Sequence, residues 1–398
     1  MTNLPQGWEV KKLEEIANIK GGKRLPKGEN LLDNNTKFAY IRVADFQDNG
    51  TINLQNIKFI NENTYNVLKN YKIYDDNLYI SIAGTIGKSG IIPKELNGAI
   101  LTENAVKLEY IQNNISNKFM YFFTLSNIFK TQIQTSTKIV AQPKLAITRL
   151  KQIQIPLPPL KEQERIVGIL DESFAKIDES IKILEQNLLN LDELMQSALQ
   201  KAFNPLKDNA KENYKLPQSW EWKSLEEISE NISAGGDKPK NCTESKTAKN
   251  QIPVYANGVN NNGLVGYTDK ATIIKPSLTI SARGTIGFVC IRKEPYFPIV
   301  RLISLIPCEN ILCLHYLYFC LNFFIAKGEG SSIPQLTIPK FKSLQIPLPP
   351  LQEQEQIAKH LDFVFEKAKA LKELYTKELK DYEELKQFLL DKAFKGEL

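Results

Sequence analysis

The residues that could do chemistry are few, and their spacing argues against most of it. Gly84-Thr85-Ile86-Gly87-Lys88-Ser89 has the tail of a phosphate-cradling glycine loop, but that pattern needs a glycine where Ile82 stands. A second copy, Gly284-Thr285-Ile286-Gly287-Phe288, lacks the lysine, so a tight turn at a strand end accounts better for these glycines. With only His315 and His360 in the chain, imidazole acid–base catalysis is nearly excluded. Cys308, Cys313, His315 and Cys320 cluster at spacings that match no common zinc module, and none of the five cysteines forms a CxxC pair. No dinucleotide fingerprint is present, nor the Asn-Pro-Pro-aromatic tetrapeptide that amino-methyltransferases carry. The carboxylates fall mostly on helix faces, where solvation explains them. No catalytic residue and no metal ligand is assigned. The chain reads as one that binds rather than reacts.

Candidates for binding are cations on glycine-containing loops and beside strand ends. They are Lys23, Arg24, Lys27, Arg42 and Lys88 early in the chain, and Lys238, Lys240, Asn257 and Arg283 later. Lys and Arg position phosphates, while Arg and Asn can read base edges. The net charge of +6 fits a polyanion partner without demanding one. With 42% hydrophobic and 24% charged residues over 398 positions, the composition is that of a soluble protein of two to three domains. No apolar run approaches the roughly 20 residues a bilayer needs, and no basic, apolar leader opens the chain. No membrane contact and a cytoplasmic location are expected.

These loops must be positioned by something, and the clearest elements are two long helices. The first follows Ile155-Pro156-Leu157-Pro158-Pro159-Leu160 and Lys161-Glu162-Gln163-Glu164-Arg165. Its apolar residues recur at alternating intervals of four and three: Leu170, Phe174, Ile177, Ile181, Leu184, Leu188 and Leu191, continuing to Met195, Ala198 and Ala202. This is the a/d seam of a coiled coil. Ile346-Pro347-Leu348-Pro349-Pro350-Leu351 opens the second, with a seam through Ile357, Leu361, Val364, Ala368, Leu371, Tyr375, Tyr382, Leu385 and Leu389, broken once at Glu378.

The repeat reaches further. Leu4-Pro5-Gln6-Gly7-Trp8-Glu9 returns as Leu216-Pro217-Gln218-Ser219-Trp220-Glu221, and Lys201-Ala202-Phe203 as Lys392-Ala393-Phe394. Between these marks lie short β-like runs and an aromatic amphipathic helix in each half. The expected fold is therefore two α/β (α+β) domains related by an internal pseudo-two-fold repeat and separated by a long antiparallel two-helix coiled coil. The expected boundaries are 1–155 and 216–346 for the domains, 156–203 and 347–398 for the helical regions, and 204–215 for a linker. Connectivity dictates the antiparallel sense, because the second domain follows the end of the first helix yet feeds the start of the second. At roughly 39 residues and about 1.5 Å per residue, the first helix spans on the order of 58 Å. Such a rod suits a reader whose two heads reach successive grooves of a duplex. Off-seam Leu189, Leu194, Leu374 and Leu379 hint at a further protein docking on the rod, with solvent-exposed scatter as the equal alternative.

The doubled Pro-Leu-Pro-Pro-Leu followed by Glu-Gln, the Gly-Thr-Ile-Gly turn and the helix ending in Lys-Ala-Phe resemble the specificity subunit of type I restriction–modification enzymes, over essentially the whole chain. The resemblance implies two target-recognition domains reading the halves of a split, asymmetric double-stranded DNA site, with the helices as a ruler. It implies a platform for two methylation subunits, joined by restriction subunits. S-adenosylmethionine, ATP and magnesium would belong to those partners, with no cofactor in this chain. Two rivals remain open: a coiled-coil adaptor that binds proteins and no DNA, and an enzyme with its own methyl transfer or nuclease activity.

Overall fold

Branched and aromatic runs bounded by Asn, Asp and Gly form the strands, and nearly all of them recur in both halves. The computed structural model describes residues 4–136, 144–203, 216–325 and 336–398; the expected linker, 204–215, lies outside them. The chain divides into two units, residues 1–184 with 377–398, and residues 185–376. Each unit thus joins one α/β head to the beginning of one long helix and the end of the other.

In the first unit, β1 (Glu9–Lys12), β2 (Ala17–Gly21), β3 (Ala39–Ile41), β4 (Lys58–Phe59), β5 (Lys72–Ile73), β6 (Leu78–Ser81), β7 (Ser89–Ile91), β8 (Ala99–Leu101), β9 (Ala105–Tyr110) and β10 (Gln154–Leu157) follow in order. They make sheets β2-β9-β6-β7 and β4-β3-β8-β5 and a ribbon β1-β10. The second unit has β11 (Glu221–Ser224), β12 (Ser229–Ala234), β13 (Ile252–Tyr255), β14 (Leu264–Thr268), β15 (Ser277–Ile280), β16 (Val289–Arg292), β17 (Phe297–Pro298), β18 (Ile303–Pro307) and β19 (Gln345–Leu348). Its sheets, β12-β18-β15-β16, β14-β13-β17 and β11-β19, repeat the first unit's plan less one edge strand, the counterpart of β5. The parallel pair recurs too, as Ile41 opposite Leu101 and Tyr255 opposite Pro298.

The ribbons show what the repeated motifs are for. Glu9 pairs with Leu157 and Glu221 with Leu348, so each Trp-Glu segment lies antiparallel to the proline segment that precedes a long helix. The central helix (Leu160–Phe203) has 44 residues and the C-terminal helix (Leu351–Lys395) has 45; the central one is longer than expected because it starts directly after Pro159. Prolines fix an extended backbone and bring no N–H that needs a partner. Their carbonyls instead accept the first helical amides, with Glu162 N at 2.9 Å from Pro159 O and Glu353 N at 2.9 Å from Pro350 O. A buried glutamine completes each corner. Gln163 Nε2 donates to Pro158 O (2.9 Å) and Asn114 O (3.1 Å), and its Oε1 accepts from Ser116 N (2.8 Å). Gln354 does the same with Pro349 O (2.8 Å), Ile311 O (2.9 Å) and Cys313 N (2.9 Å). In both units this clamps the helix start to the segment ahead of the head's aromatic helix.

Within each unit the two long helices run antiparallel. In the first, Leu170 near the start of the central helix shares a core with Leu390, Ala393 and Phe394 at the end of the other. In the second, Leu199 and Phe203 share one with Ala358 and Leu361. Asp178 pairs with Lys386 in the first unit and Asp192 with Lys372 in the second.

The seam of the central helix is as expected: Leu170, Ile177, Leu184 and Leu191 are buried, with Phe174, Ile181 and Leu188 half-buried. On the C-terminal helix the expected seam is corrected at Leu371 and Leu385. The line through Leu361, Ala368, Tyr375, Tyr382 and Leu389 faces inward, and Ile357 and Val364 are half-buried with Ile357 packed on the second core, but Leu371 and Leu385 are 39% and 41% exposed. Their line moves on by one residue to Ala358, Phe365, Lys372, Leu379 and Lys386, which also removes the interruption at Glu378. The cause is the two lysines. Counting apolar residues alone skips them, yet their stems lie along the seam while their ammonium groups reach Asp192 and Asp178. Off the seam, Leu189, Leu194 and Leu374 are exposed and Leu379 lies inward.

Removing the glutamine clamp should be costly. Gln163→Ala and Gln354→Ala each strand a buried amide, so each is expected to lower stability by about 2 kcal/mol, within the ~1–3 kcal/mol range for a buried polar group left unpaired. Gln163→Glu, which aims a carboxylate at two carbonyls, should cost more than alanine. Urea unfolding of the full chain checks both; unchanged midpoints would show the clamp to be dispensable.

Candidate nucleic-acid interface

In each head, three connections leave the sheet at the same edge, and in the first their backbones tie all three together. In the first unit they are the loop after β2, the β6–β7 turn and the β8–β9 turn. Gly22 N donates to Ala105 O (3.0 Å), Lys23 N to Leu101 O (2.9 Å) and Ile82 N to Asn104 O (2.8 Å). Gly22 must be glycine, because a Cβ there would sit 2.1 Å from the Thr102 carbonyl oxygen. The second unit repeats the bonds between the loop after β12 and the β17–β18 turn, while its β15–β16 turn is joined through the Asn257 side chain. Gly235 N donates to Leu302 O (2.8 Å), and a Cβ on Gly235 would lie 2.5 Å from the Pro298 carbonyl carbon.

The Gly-Thr-Ile-Gly stretches are the turns expected. Gly84, Gly87, Gly284 and Gly287 all have positive φ, and Gly87 N and Gly287 N close back onto Ser81 O and Ser281 O at 2.9 and 3.0 Å. A strand follows each turn rather than a helix, so no helix N-terminus is available to hold a phosphate.

The candidate cations divide by what holds them. Lys23, Arg24 and Lys27 are exposed on the loop after β2. Arg24 Nε pairs with Glu103 at 2.7 Å while its side chain stays 80% exposed, an ion pair that solvent weakens. Partial burial pushes the Glu103 carboxyl up, but hydrogen bonds from Arg24, its own amide and Thr102 outweigh that and hold its pKa below the ordinary value. Glu103 lines a shallow cleft with Gly21, Gly22 and Lys144, so Lys144 joins Arg24 at this edge. Arg42 has a different duty. Its guanidinium grips the buried Asp45 (Nε 3.0 Å, Nη2 2.5 Å) and Asn56 O (3.0 Å), closing the turn after β3. Lys88 is mostly buried and pairs with Asp48 at 2.7 Å.

In the second unit Lys238 and Lys240 are exposed on the loop after β12, and Arg283 is exposed on the β15–β16 turn. Asn257 is a brace. Its Nδ2 donates to Val300 O at 2.6 Å and its Oδ1 accepts from Ala282 N at 2.8 Å. The β17–β18 turn meets the Gly-Gly loop through Val300 N to Gly236 O and Arg301 N to Gly235 O, both 2.8 Å. Glu103, Lys144 and Arg301 thus belong to these edges, although no spacing singled them out.

Among the described residues no group of three His, Cys, Asp or Glu side chains could hold a metal ion, and no helix is long and apolar enough to cross a membrane. His315 is engaged with Asp362 at 2.7 Å.

Comparison with known proteins agrees with this arrangement. A Mycoplasma pneumoniae protein named as a type I specificity subunit is 29% identical over 357 residues, covering 88% of this chain and 87% of its own. The EcoBI specificity subunit of Escherichia coli is 29% identical over 205 residues, half of this chain and 42% of its own. The fold matches a chain from a structural study of type I restriction–modification assembly, with a TM-score of 0.82 at 20% identity and full coverage of both chains. It also matches the HsdS subunit of Thermoanaerobacter tengcongensis, with a TM-score of 0.62 at 21% identity, covering 100% of this chain and 98% of that one. The family model for the type I restriction modification DNA specificity domain matches residues 5–189 and again 217–380. The chain belongs to that family and carries its domain twice.

Proposed function

We propose that this chain is the non-catalytic, DNA-reading subunit of a type I restriction–modification system. Each head reads one half of a bipartite duplex site. The observation that carries the reading is the pair of equivalent loop edges, built on one backbone plan but presenting different polar residues: Lys23, Arg24 and Lys27 in one, Lys238, Lys240 and Arg283 in the other. Unlike edges imply unlike half-sites, hence an asymmetric target. Exposed apolar residues on the long helices, such as Ile183, Leu189, Leu194, Phe363, Leu374 and Phe388, suit the seating of two methylation subunits, with restriction subunits joining them. S-adenosylmethionine, ATP and magnesium belong on those partners, and the assembly works in the cytoplasm.

Three outcomes test this. Duplex binding by the chain with its methylation subunits should fall steeply with salt, and salt-independent or absent binding would favour the protein-adaptor reading. Arg24→Ala should weaken binding, as should Arg283→Ala, and Glu103→Gln should strengthen it by releasing Arg24. Equal affinities across a filter-binding series would remove these residues from the interface. Finally, a heptad inserted into each long helix adds about 10 Å at 1.5 Å per residue and keeps the seam in phase. Mapping methylated sites should then show the half-sites about three base pairs further apart, and an unchanged spacing would refute the ruler.

A further inference from the structure

The β8–β9 turn and its copy between β17 and β18 have the same anchor bonds but opposite backbone hand. In the first unit Ala105 N donates to Thr102 O at 3.2 Å; in the second Leu302 N donates to Ile299 O at 3.1 Å. The flanking ladders fix the equivalence, since Ile80 pairs with Val106 and Ile280 with Ile303. Glu103-Asn104 therefore corresponds to Val300-Arg301. Glu103 and Asn104 are absent from the positive-φ residues, whereas Val300 has φ 54° and Arg301 has φ 60°.

Two successive left-handed residues make the mirror-image turn that normally takes Asn-Gly. A β-branched valine there is a genuine outlier, and such strain persists only where the surroundings over-determine it. Here they do. The Asn257 side chain takes the Val300 carbonyl at 2.6 Å, and Gly235 and Gly236 carbonyls accept the turn's two amides at 2.8 Å. The same Asn257 is tied to the amide of Ala282, directly before Arg283. The result is an exposed arginine on a backbone-braced tip, whose guanidinium makes no hydrogen bond or ion pair among the described residues.

We infer that Arg301 is a specificity-determining residue of the second head, presenting its guanidinium to a guanine edge in the major groove. A phosphate contact needs only charge and tolerates a flexible stem. Bidentate recognition of O6 and N7 is directional, so it gains from a backbone that holds the Cα and the direction of the side chain in place, as the bonds to Val300 and Arg301 do here. The inference rests on the DNA-reading function proposed above and names one of its readers.

Arg301→Gly provides the test, because glycine adopts the left-handed backbone without strain and so keeps the turn while removing the fork. Arg301→Lys keeps the charge but not the fork. The full chain, with its methylation subunits, is challenged with a pool of duplexes randomised through the site, and thermal unfolding is followed in parallel. Both variants should stay folded and lose discrimination at one position of the second half-site about tenfold or more, with the first half-site untouched. A uniform loss across all sequences, restored by lysine, would make Arg301 a phosphate contact and overturn the inference. So would an unchanged preference, or a glycine variant that unfolds early with its preference intact. A wild-type chain that selects no motif would instead sink the DNA-reading function itself.

Discussion

Each long helix has one apolar stripe and no means of burying it alone. The backbone of so long a helix is entropically expensive to order, and a single seam does not offset that cost unless something covers it. Covering comes from the other half of the repeat, and most firmly at the helix ends. Phe394 inserts against Phe119 and Phe123 at ring separations of 5.1 and 5.5 Å, and Phe203 against Tyr316 at 5.5 Å. Each aromatic helix therefore completes its core with the last turn of the long helix that its own half does not begin. Neither unit is complete without chain from both halves, which makes the repeat a structural necessity rather than a duplication in series.

The helix starts are fixed by different means. Two prolines, a ribbon strand and a buried glutamine whose amide is fully engaged turn the chain from sheet into helix. Because the clamp goes from a side chain to three backbone groups, it is indifferent to the residues around it. Asn114-Ile115-Ser116 in one unit and Ile311-Leu312-Cys313 in the other are held alike.

Much of this is legible in the amino-acid sequence alone. The doubled proline segment, the returning Trp-Glu and the Lys-Ala-Phe endings located both helices, and counting intervals gave the central seam. Apolar spacing misplaces the C-terminal seam at Leu371 and Leu385, because a lysine on a seam carries no apolar signal although its stem lies along it. Loop cations were found by type, but type does not reveal duty. Arg42 serves a turn because Asp45 lies three residues on, and Asn257 braces loops that are distant in sequence, with partners at 282 and 300. Arg301 escaped notice because backbone hand is not written in side-chain pattern when valine occupies the left-handed position.

How, then, can two edges share a plan and still differ in what they present? The bonds that gather the loops are almost all between backbones: Gly22 to Ala105, Lys23 to Leu101 and Ile82 to Asn104 in one head, Gly235 to Leu302, Val300 to Gly236 and Arg301 to Gly235 in the other. Backbone bonds place few demands on side chains, apart from the glycines where strands approach too closely for a Cβ. The exposed positions can therefore change charge, size and even backbone hand while the edge stays assembled. Constraint falls on Gly22 and Gly235, on the corner glutamines and on the terminal phenylalanines, and freedom falls on the tips. That division allows one scaffold to carry two unlike surfaces without either disturbing the other's core.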